Sequence, residues 1–339
     1  MSASSVNRKV VAIDSQADSG KRRGVIMPQG PAVRRIVNRI KVKQLFQKQR
    51  ELVLMLAARL GAICGVKAVV LGGSHARGVA HPGSDIDLGV FYSESDPFSI
   101  QCIRELAGEL NDTAAPVVCG FYEWGQWVNG GAWLTIGGQR VDLLYRGLEH
   151  VERVIREAEA GSYQLDYAQQ PPFGFFSATY LGEIAVCIPL FDPDGYVERL
   201  KRLVVKYPEA LRRAVVQDHL WAAEFDLVAF APKFAARGDV YGTAACLTRA
   251  VNQIVLALFA LNRKYLLNDK TALAEIAEFE LVPEEFGSRV QKTLAGLGES
   301  EASLVVAVKS VEELLRESVA LAQELYRSRY ELLATIRQS

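Results

Sequence analysis

The stretch LGGSHARGVAHPGSDIDLGVFY, Leu71 to Tyr92, restricts the fold more than any other. Two acids, Asp85 and Asp87, stand one residue apart at the head of an otherwise apolar run. In a strand, residues i and i+2 point to the same face, so the carboxylates share a side while Ile86 faces the core. Like charges placed this way raise each other's pKa unless a cation neutralises them. Hard divalent cations such as Mg2+ take carboxylate oxygens and keep room for phosphate oxygens, so the spacing fits a metal-binding pair. The plain alternative is a surface strand end after a turn at Pro82-Gly83-Ser84. A third acid, Asp142, sits alone in the apolar run QRVDLLYR. It fits the remaining carboxylate of a two-metal site, in which ions about 4 Å apart clamp the attacking and leaving oxygens of a phosphoryl transfer. The alternative for Asp142 is an ion pair with Arg140.

The glycines before these acids carry a second signal. KAVVLGG is a short apolar run stopped by glycine, which predicts a buried strand. Gly72 and Gly73 end it, and Ser74 opens the turn SHARG. A strand–glycine–helix junction aims backbone N–H groups at an anion, and Ser74 adds a hydroxyl. Arg77 and His75 are near enough in sequence to assist. Otherwise Ser74 is a plain helix cap. A phosphate cradle about a dozen residues before a carboxylate pair points to a nucleoside triphosphate site.

Around this motif, VKQLFQKQRELVLMLAARLGAI has apolar residues at helical spacing, including Leu45, Leu52, Met55, Leu56 and Leu60. DPFSIQCIRELAGELND predicts a helix between Pro97 and Asn111. PVVCGFYEW, GAWLTI and QRVDLLYR read as strands, punctuated by Gly130-Gly131 and Gly137-Gly138. LEHVERVIREAEAG reads as a closing helix. From Tyr196 onward the periodicity is helical. Val251, Ile254, Val255, Leu258, Leu261 and Tyr265 make one stripe, and a last helix is expected from about Ala302 to Ile336. The fold class is therefore α+β, a small mixed-sheet domain followed by an all-α helical bundle. The expected layout is a flexible basic arm over 1–40, a catalytic domain over 41–160, a connector over 161–195 and the bundle over 196–339.

Formal net charge is zero, so bulk electrostatics indicate no acidic partner. The first 50 residues hold twelve basic and two acidic side chains, leaving 27 basic and 37 acidic for the rest. Such an arm either grips nucleic acid or is a solvated leader; it lacks the interleaved aromatics of a nucleic-acid surface. Met27 is an alternative start. The five cysteines are odd in number and none has a partner at metal-ligand spacing, which fits a reducing compartment. No signal-peptide core and no membrane span are expected, so the protein is placed in the cytoplasm. A homodimer is left open.

Other polar residues have plain readings. His81 reads as a loop residue, and His150 and His219 as surface or satisfied core histidines. Tyr122, Trp124, Trp127 and Trp133 read as core or cleft wall rather than a base-stacking platform. Arg249, Asn252, Asn262, Tyr265, Asn268 and Lys270 are either helix surface and caps or lining of a cleft; Tyr265 and Lys270 are the leading candidates for a nucleotide or acceptor contact. A general base is Asp142 in part, or Glu224 or Asp226.

GGSHARGVAHPGSDIDLGVFY resembles the signature of the DNA-polymerase-β-like nucleotidyltransferase superfamily: a Gly-Ser turn, a gap, Asp-x-Asp, then a later strand acid. Gly73 and Ser74 match its phosphate-binding turn, Asp85 and Asp87 its metal dyad, and Asp142 its third carboxylate. ARGDVYGTAACLTRAVNQIVLALFALNRKYLLNDK resembles the helical domain of DUF4037-type bacterial nucleotidyltransferases, similar in layout to aminoglycoside and lincosamide nucleotidyltransferases. The resemblance implies a polymerase-β-like palm and an enzyme of the EC 2.7.7 type. It implies transfer of a nucleoside monophosphate, commonly AMP from ATP, to a hydroxyl with release of pyrophosphate. Mg2+ would be the metal, with Mn2+ as a substitute, and Gly72, Gly73, Ser74, Arg77 and Ser84 would surround the triphosphate. The acceptor is a small molecule, or else a protein or tRNA hydroxyl as in toxin–antitoxin partners. A non-catalytic nucleotide-binding module is the remaining alternative, and the intact three-acid set argues against it.

Overall fold

The structure is a computed structural model, and it describes residues 47–329. The arm expected over 1–40, Met27, Leu45 and the tail to Ile336 lie outside the described residues. The strands are β1 (Val66–Leu71), β2 (Ile86–Tyr92), β3 (Val117–Val118), β4 (Gly131–Ile136), β5 (Gln139–Gly147), β6 (Leu165–Asp166), β7 (Phe175–Phe176) and β8 (Ile188–Phe191). β6 and β7 form a small ribbon. The others form one mixed sheet in the order β3-β4-β5-β2-β1-β8, in which β2 and β5 run parallel and the remaining neighbours antiparallel. The fold is α+β, as its sequence pattern predicts.

Alternation along the strands gives the sheet two distinct faces. Ile86, Leu88 and Val90 of β2 and Val141, Leu143 and Tyr145 of β5 point into one core. That core is closed by Val53, Leu56 and Leu60 of α1 (Gln47–Gly61) and by Ile103 and Leu106 of α3 (Ile100–Leu110). Between them in sequence lies the five-residue α2 (Gly73–Arg77). On the opposite face Ala68, Val70 and Phe91 join a second core shared with the helical half. One continuous apolar core therefore ties the sheet to the helices. α4 (Leu148–Glu159), α5 (Thr179–Val186) and α6 (Tyr196–Val204) lie on this side, and β8 follows α5 to become the edge strand beside β1.

The expected third strand is mostly a turn. Only Val117–Val118 pairs with β4, and the chain then coils through Tyr122 at φ 61°. Asn129 fixes that coil by accepting the Tyr122 N–H on its side chain and the Trp124 N–H on its carbonyl. Gly137-Gly138 is a tight hairpin as expected. Both residues have positive φ (58° and 77°), which glycine adopts without strain, and the Asp112 carboxylate accepts both N–H groups at 2.8 Å.

The helical half is built on α7 (Glu209–Phe225), a π turn over Asp226–Phe230, α8 (Ala231–Ala235), α9 (Val240–Leu261), α10 (Ala272–Ile276), α11 (Phe286–Ala295) and α12 (Glu301–Ala322). α9 is not a one-stripe helix: every residue from Ala250 to Leu261 is buried, because α7, α8 and α12 pack around it. By length and composition α9 would cross a membrane, but 72% of its apolar window is buried inside the protein, as in a core helix. Asp239 caps its start by accepting the Gly242 N–H. Asn262 ends it, donating to the carbonyls of Leu258 and Leu281 and accepting the Leu281 N–H, so Tyr265 falls beyond the helix. α12 also stops short of the expected span, at Ala322. Gln323 takes φ 51°, and Gln217 on α7 then holds Arg327 by two hydrogen bonds. Buried Tyr326 donates to Glu224, which fixes the turn away from the helix axis.

Candidate active site

Strand register draws the motif residues into one row. In the parallel pair β2/β5, Asp87 lies opposite Asp142; in the antiparallel pair β4/β5, Trp133 lies opposite Asp142. On the other side of β2, the Gly72 N–H donates to the Asp87 carbonyl at 2.8 Å. Neighbouring strands are about 4.8 Å apart, so an indole, two carboxylates and the glycine turn follow one another across one sheet face. Asp85 lies just before β2.

Gly73 is the closest point between turn and acid. Its φ is +57°, and a Cβ there would stand 1.7 Å from Asp87 Oδ2. Gly72 has no such crowding; its nearest neighbour to a Cβ is 3.7 Å away. Gly73→Ala is expected to swing the Asp87 carboxylate aside and to cost about 1–2 kcal/mol for the left-handed backbone. A thermal melt checks the second effect, with Gly72→Ala melting near wild type.

The row concentrates negative charge in a half-buried place. The Asp87 carboxyl is pushed up from 3.8 to about 6 by burial first, then by Asp142, Asp85 and Glu183, with Lys270 opposing. Asp142 is also raised, by burial and by Asp85, against Arg140 and Lys270. Arg140 pairs with Asp85, not with Asp142: Arg140 Nε is 2.6 Å from Asp85 Oδ1, a close ion pair without hydrogen-bond angles.

These residues fit a hard divalent cation by chemistry. The donors are carboxylate oxygens only, and two of the three carboxyls sit on neighbouring strands under electrostatic pressure that a cation relieves. Among the described residues no three acidic, histidine or cysteine side chains already surround a single ion position. Asp85 is engaged by Arg140 instead.

The row opens into a cleft of about 790 Å3. Gly72, Gly73, Ser74, Arg77, Ser84, Asp85, Asp87 and Asp142 line one wall. The other comes from Thr179 and Glu183 of α5 and from the loop Leu266–Thr271, which brings Asn268, Asp269 and Lys270. Lys270 is thus brought to the cleft that the carboxylates line. Arg77 is at the cleft but committed: its Nη1 is 2.7 Å from Glu275 Oε1 on α10. The Ser84 hydroxyl accepts the His81 N–H at 2.9 Å and shapes the loop before β2.

Some expected residues are elsewhere. Tyr265 does not line the cleft; its ring stacks on Tyr207 at 4.8 Å and its hydroxyl donates to the Val204 carbonyl. The cause is the end of α9 at Asn262, which turns the chain before Tyr265. Glu224 and Asp226 are also remote: Glu224 is buried against Tyr326 and Ser328, and Asp226 pairs with Arg249. His75 is turned inward and buried, with its pKa lowered by burial, and does not line the cleft.

Other site residues are absent from the sequence motif. Arg146 sits four residues after Asp142 on the same face of β5, and its Nε and Nη2 hold Glu183 of α5 at 3.0 and 3.1 Å. Strand alternation from Asp142 places Arg146 on that face. Nothing local connects it to Glu183, 37 residues on.

A glycine turn facing a row of acids is the arrangement that the nucleotidyltransferase resemblance implies, and the family comparison agrees. Residues 51–162 match the nucleotidyltransferase domain family. Those residues form a nucleotidyltransferase domain, which supports nucleotidyl transfer as a general function. Residues 180–270 match a domain of unknown function, DUF4037, so the two occur here in one chain. No curated protein matches the chain. A solved structure of a nucleotidyltransferase-like protein from Exiguobacterium sibiricum overlaps it with a TM-score of 0.42 at 11% identity, over 84% of this chain and 78% of that one.

Proposed function

We propose that the protein transfers a nucleoside monophosphate, AMP from ATP, onto the hydroxyl of a small acceptor and releases pyrophosphate. The observation that carries this reading is the in-register pair Asp87–Asp142 facing the Gly73–Ser74 turn in one cleft. Backbone N–H groups of the turn and the Ser74 hydroxyl donate to the terminal phosphates. Lys270 adds a positive charge from the opposite wall, and Arg77 does so when it exchanges Glu275 for phosphate. Asp87 and Asp142, with Asp85 as the third oxygen ligand, would hold Mg2+, or Mn2+ in its place. When bound, the cation neutralises the triphosphate and lowers the cost of charge building up at the α-phosphorus. The acceptor oxygen attacks that phosphorus in line and pyrophosphate departs. Asp142 takes up the acceptor proton.

A cleft of about 790 Å3 is in the range of small-molecule sites and suits a nucleoside triphosphate with a small acceptor beside it, rather than a protein or tRNA end. The test is pyrophosphate release from ATP and Mg2+ by the full chain across a panel of hydroxyl acceptors. Asp85→Ala and Asp142→Ala are expected to lower the rate by about a thousandfold or more, the scale of losing a principal charge-stabilising group. Turnover within tenfold of wild type in either variant would sink the assignment.

A further inference from the structure

A second, smaller groove of about 320 Å3 meets the main cleft at Asp85, Arg140 and Asp142, which line both. It is lined by Trp133, which is 54% exposed although β3 and β5 flank it in the sheet. Residues directly opposite in an antiparallel pair project to the same face with Cα atoms about 5 Å apart, so the Trp133 indole stands beside the Asp142 carboxyl. Ala132 and Leu134, its neighbours on β4, point into the core on the other face. One face of the Trp133 ring is covered by Trp124, with ring centroids 4.9 Å apart and planes 22° from parallel. The Trp124 Nε1–H donates to Cys119 Sγ at 3.0 Å, so the Trp124 ring is itself anchored. An exposed, pre-set indole next to reactive carboxylates is not explained by packing, since it leaves a large apolar face in water.

We propose that this groove is the acceptor subsite, and that Trp133 seats the flat face of a hydroxyl-bearing ring. The inference rests on the nucleotidyl-transfer reading for its chemistry. The triphosphate occupies the large cleft on the glycine-turn side of Asp87, and the acceptor enters from the β4 side of Asp142. A ring lying on the indole offers its edge hydroxyl to Asp142, one strand spacing away. The acceptor O–H bond breaks, its oxygen bonds to the α-phosphorus, the bond to pyrophosphate breaks, and the proton passes to Asp142. A saturated sugar-like ring packs its C–H bonds on the indole and an aromatic base stacks its π face there, so both can be seated on Trp133. Asn111 and Thr113 at the groove rim, already bonded to each other, line the far side of the ring.

Saturation-transfer NMR on the full chain reads the contact without turnover. The probes are methyl glucopyranoside, 2-deoxystreptamine and uridine, with acyclic glycerol as control. At least one ring compound is expected to receive saturation at the C–H protons of one face; the identity of the compound separates sugar-like from base-like acceptors. The signal is expected to persist in Trp133→Phe, to vanish in Trp133→Ala, and to be absent for glycerol. No saturation of any ring compound, or a signal unchanged in Trp133→Ala, overturns the inference. With ATP and Mg2+ added, the compound that binds is expected to become nucleotidylated, with a KM raised about tenfold in Trp133→Ala, the loss of one stacking contact. Stacking on Trp133 without any transfer would leave the ring seat standing and contradict the nucleotidyl-transfer reading instead.

Discussion

Asp87→Asn is expected to abolish pyrophosphate release and, at pH 7, to melt at a higher temperature than the wild type. The two effects come from one cause. Folding carries the Asp87 carboxyl from 3.8 to about 6, so the folded chain holds this proton more tightly than the unfolded chain does. Below pH 3.8 both states are protonated and there is no penalty. As pH rises from about 4 to about 6 the unfolded state ionises first, and stability is lost. Above pH 6 the penalty is complete, on the order of 2 kcal/mol after allowance for solvent screening. Asparagine keeps the shape and removes the charge, so the stability gap between variant and wild type opens between pH 4 and pH 6 and stays constant above. Adding Mg2+ is expected to raise the melting temperature of the wild type, because a ligand that binds only the folded state stabilises it. The variant, lacking the central carboxylate, gains little. Thermal melts across pH with and without Mg2+ check each part. An asparagine variant less stable than wild type at pH 7 would contradict the claim that Asp87 is kept for function at a cost in stability.

Glu183→Ala is expected to destabilise the protein by about 2–3 kcal/mol, which is large for a residue at a cleft wall. Arg146 is only 5% exposed, and its guanidinium is bonded on every side: to Glu183, to the carbonyls of Val128 and Tyr145, and over the Tyr180 ring. Removing Glu183 leaves that charge buried without its counter-ion. The Glu183 side chain is itself about a third exposed, so the cost falls below that of a fully buried pair. Replacing both partners, as Arg146→Met with Glu183→Leu, is expected to recover most of the stability, because no unpaired charge remains. Chemical denaturation of the two single variants and the double variant measures the coupling. A double variant as unstable as Glu183→Ala would show that the loss comes from packing rather than from the stranded charge. The pair also has a positional consequence. It clamps α5, one wall of the cleft, to β5 four residues beyond Asp142, so its loss should widen the cleft as well as weaken the fold.

Much of this was legible in the sequence because the signals are local. The run from Leu71 to Tyr92 carries its strand, turn, loop and strand within 22 residues, and alternation alone puts Asp87 away from the core beside Ile86 and Leu88. The hairpin at Gly137-Gly138 is likewise a short-range event. What was not legible depends on partners far apart in the chain. The pairing of Arg140 with Asp85 rather than Asp142 depends on how β5 and the loop before β2 meet. Tyr265 follows the helical spacing of α9, yet the helix stops at Asn262 because Leu281, 19 residues later, supplies the bonding partners. The exposure of Trp133 could not be read either: an aromatic between Ala132 and Leu134 in a strand looks like core until the sheet shows which face is open.

The central claim is transfer of the α-phosphoryl unit with its nucleoside, and the direct measurement follows each phosphorus of ATP. The full chain is incubated with Mg2+ and a ring acceptor, in parallel with α-labelled and γ-labelled ATP. The α-label is expected on the acceptor and the γ-label in pyrophosphate, with both signals lost in Asp142→Ala. Recovery of the γ-label on the acceptor, or as free phosphate with ADP left behind, would contradict nucleotidyl transfer and assign the cleft to a different phosphoryl chemistry.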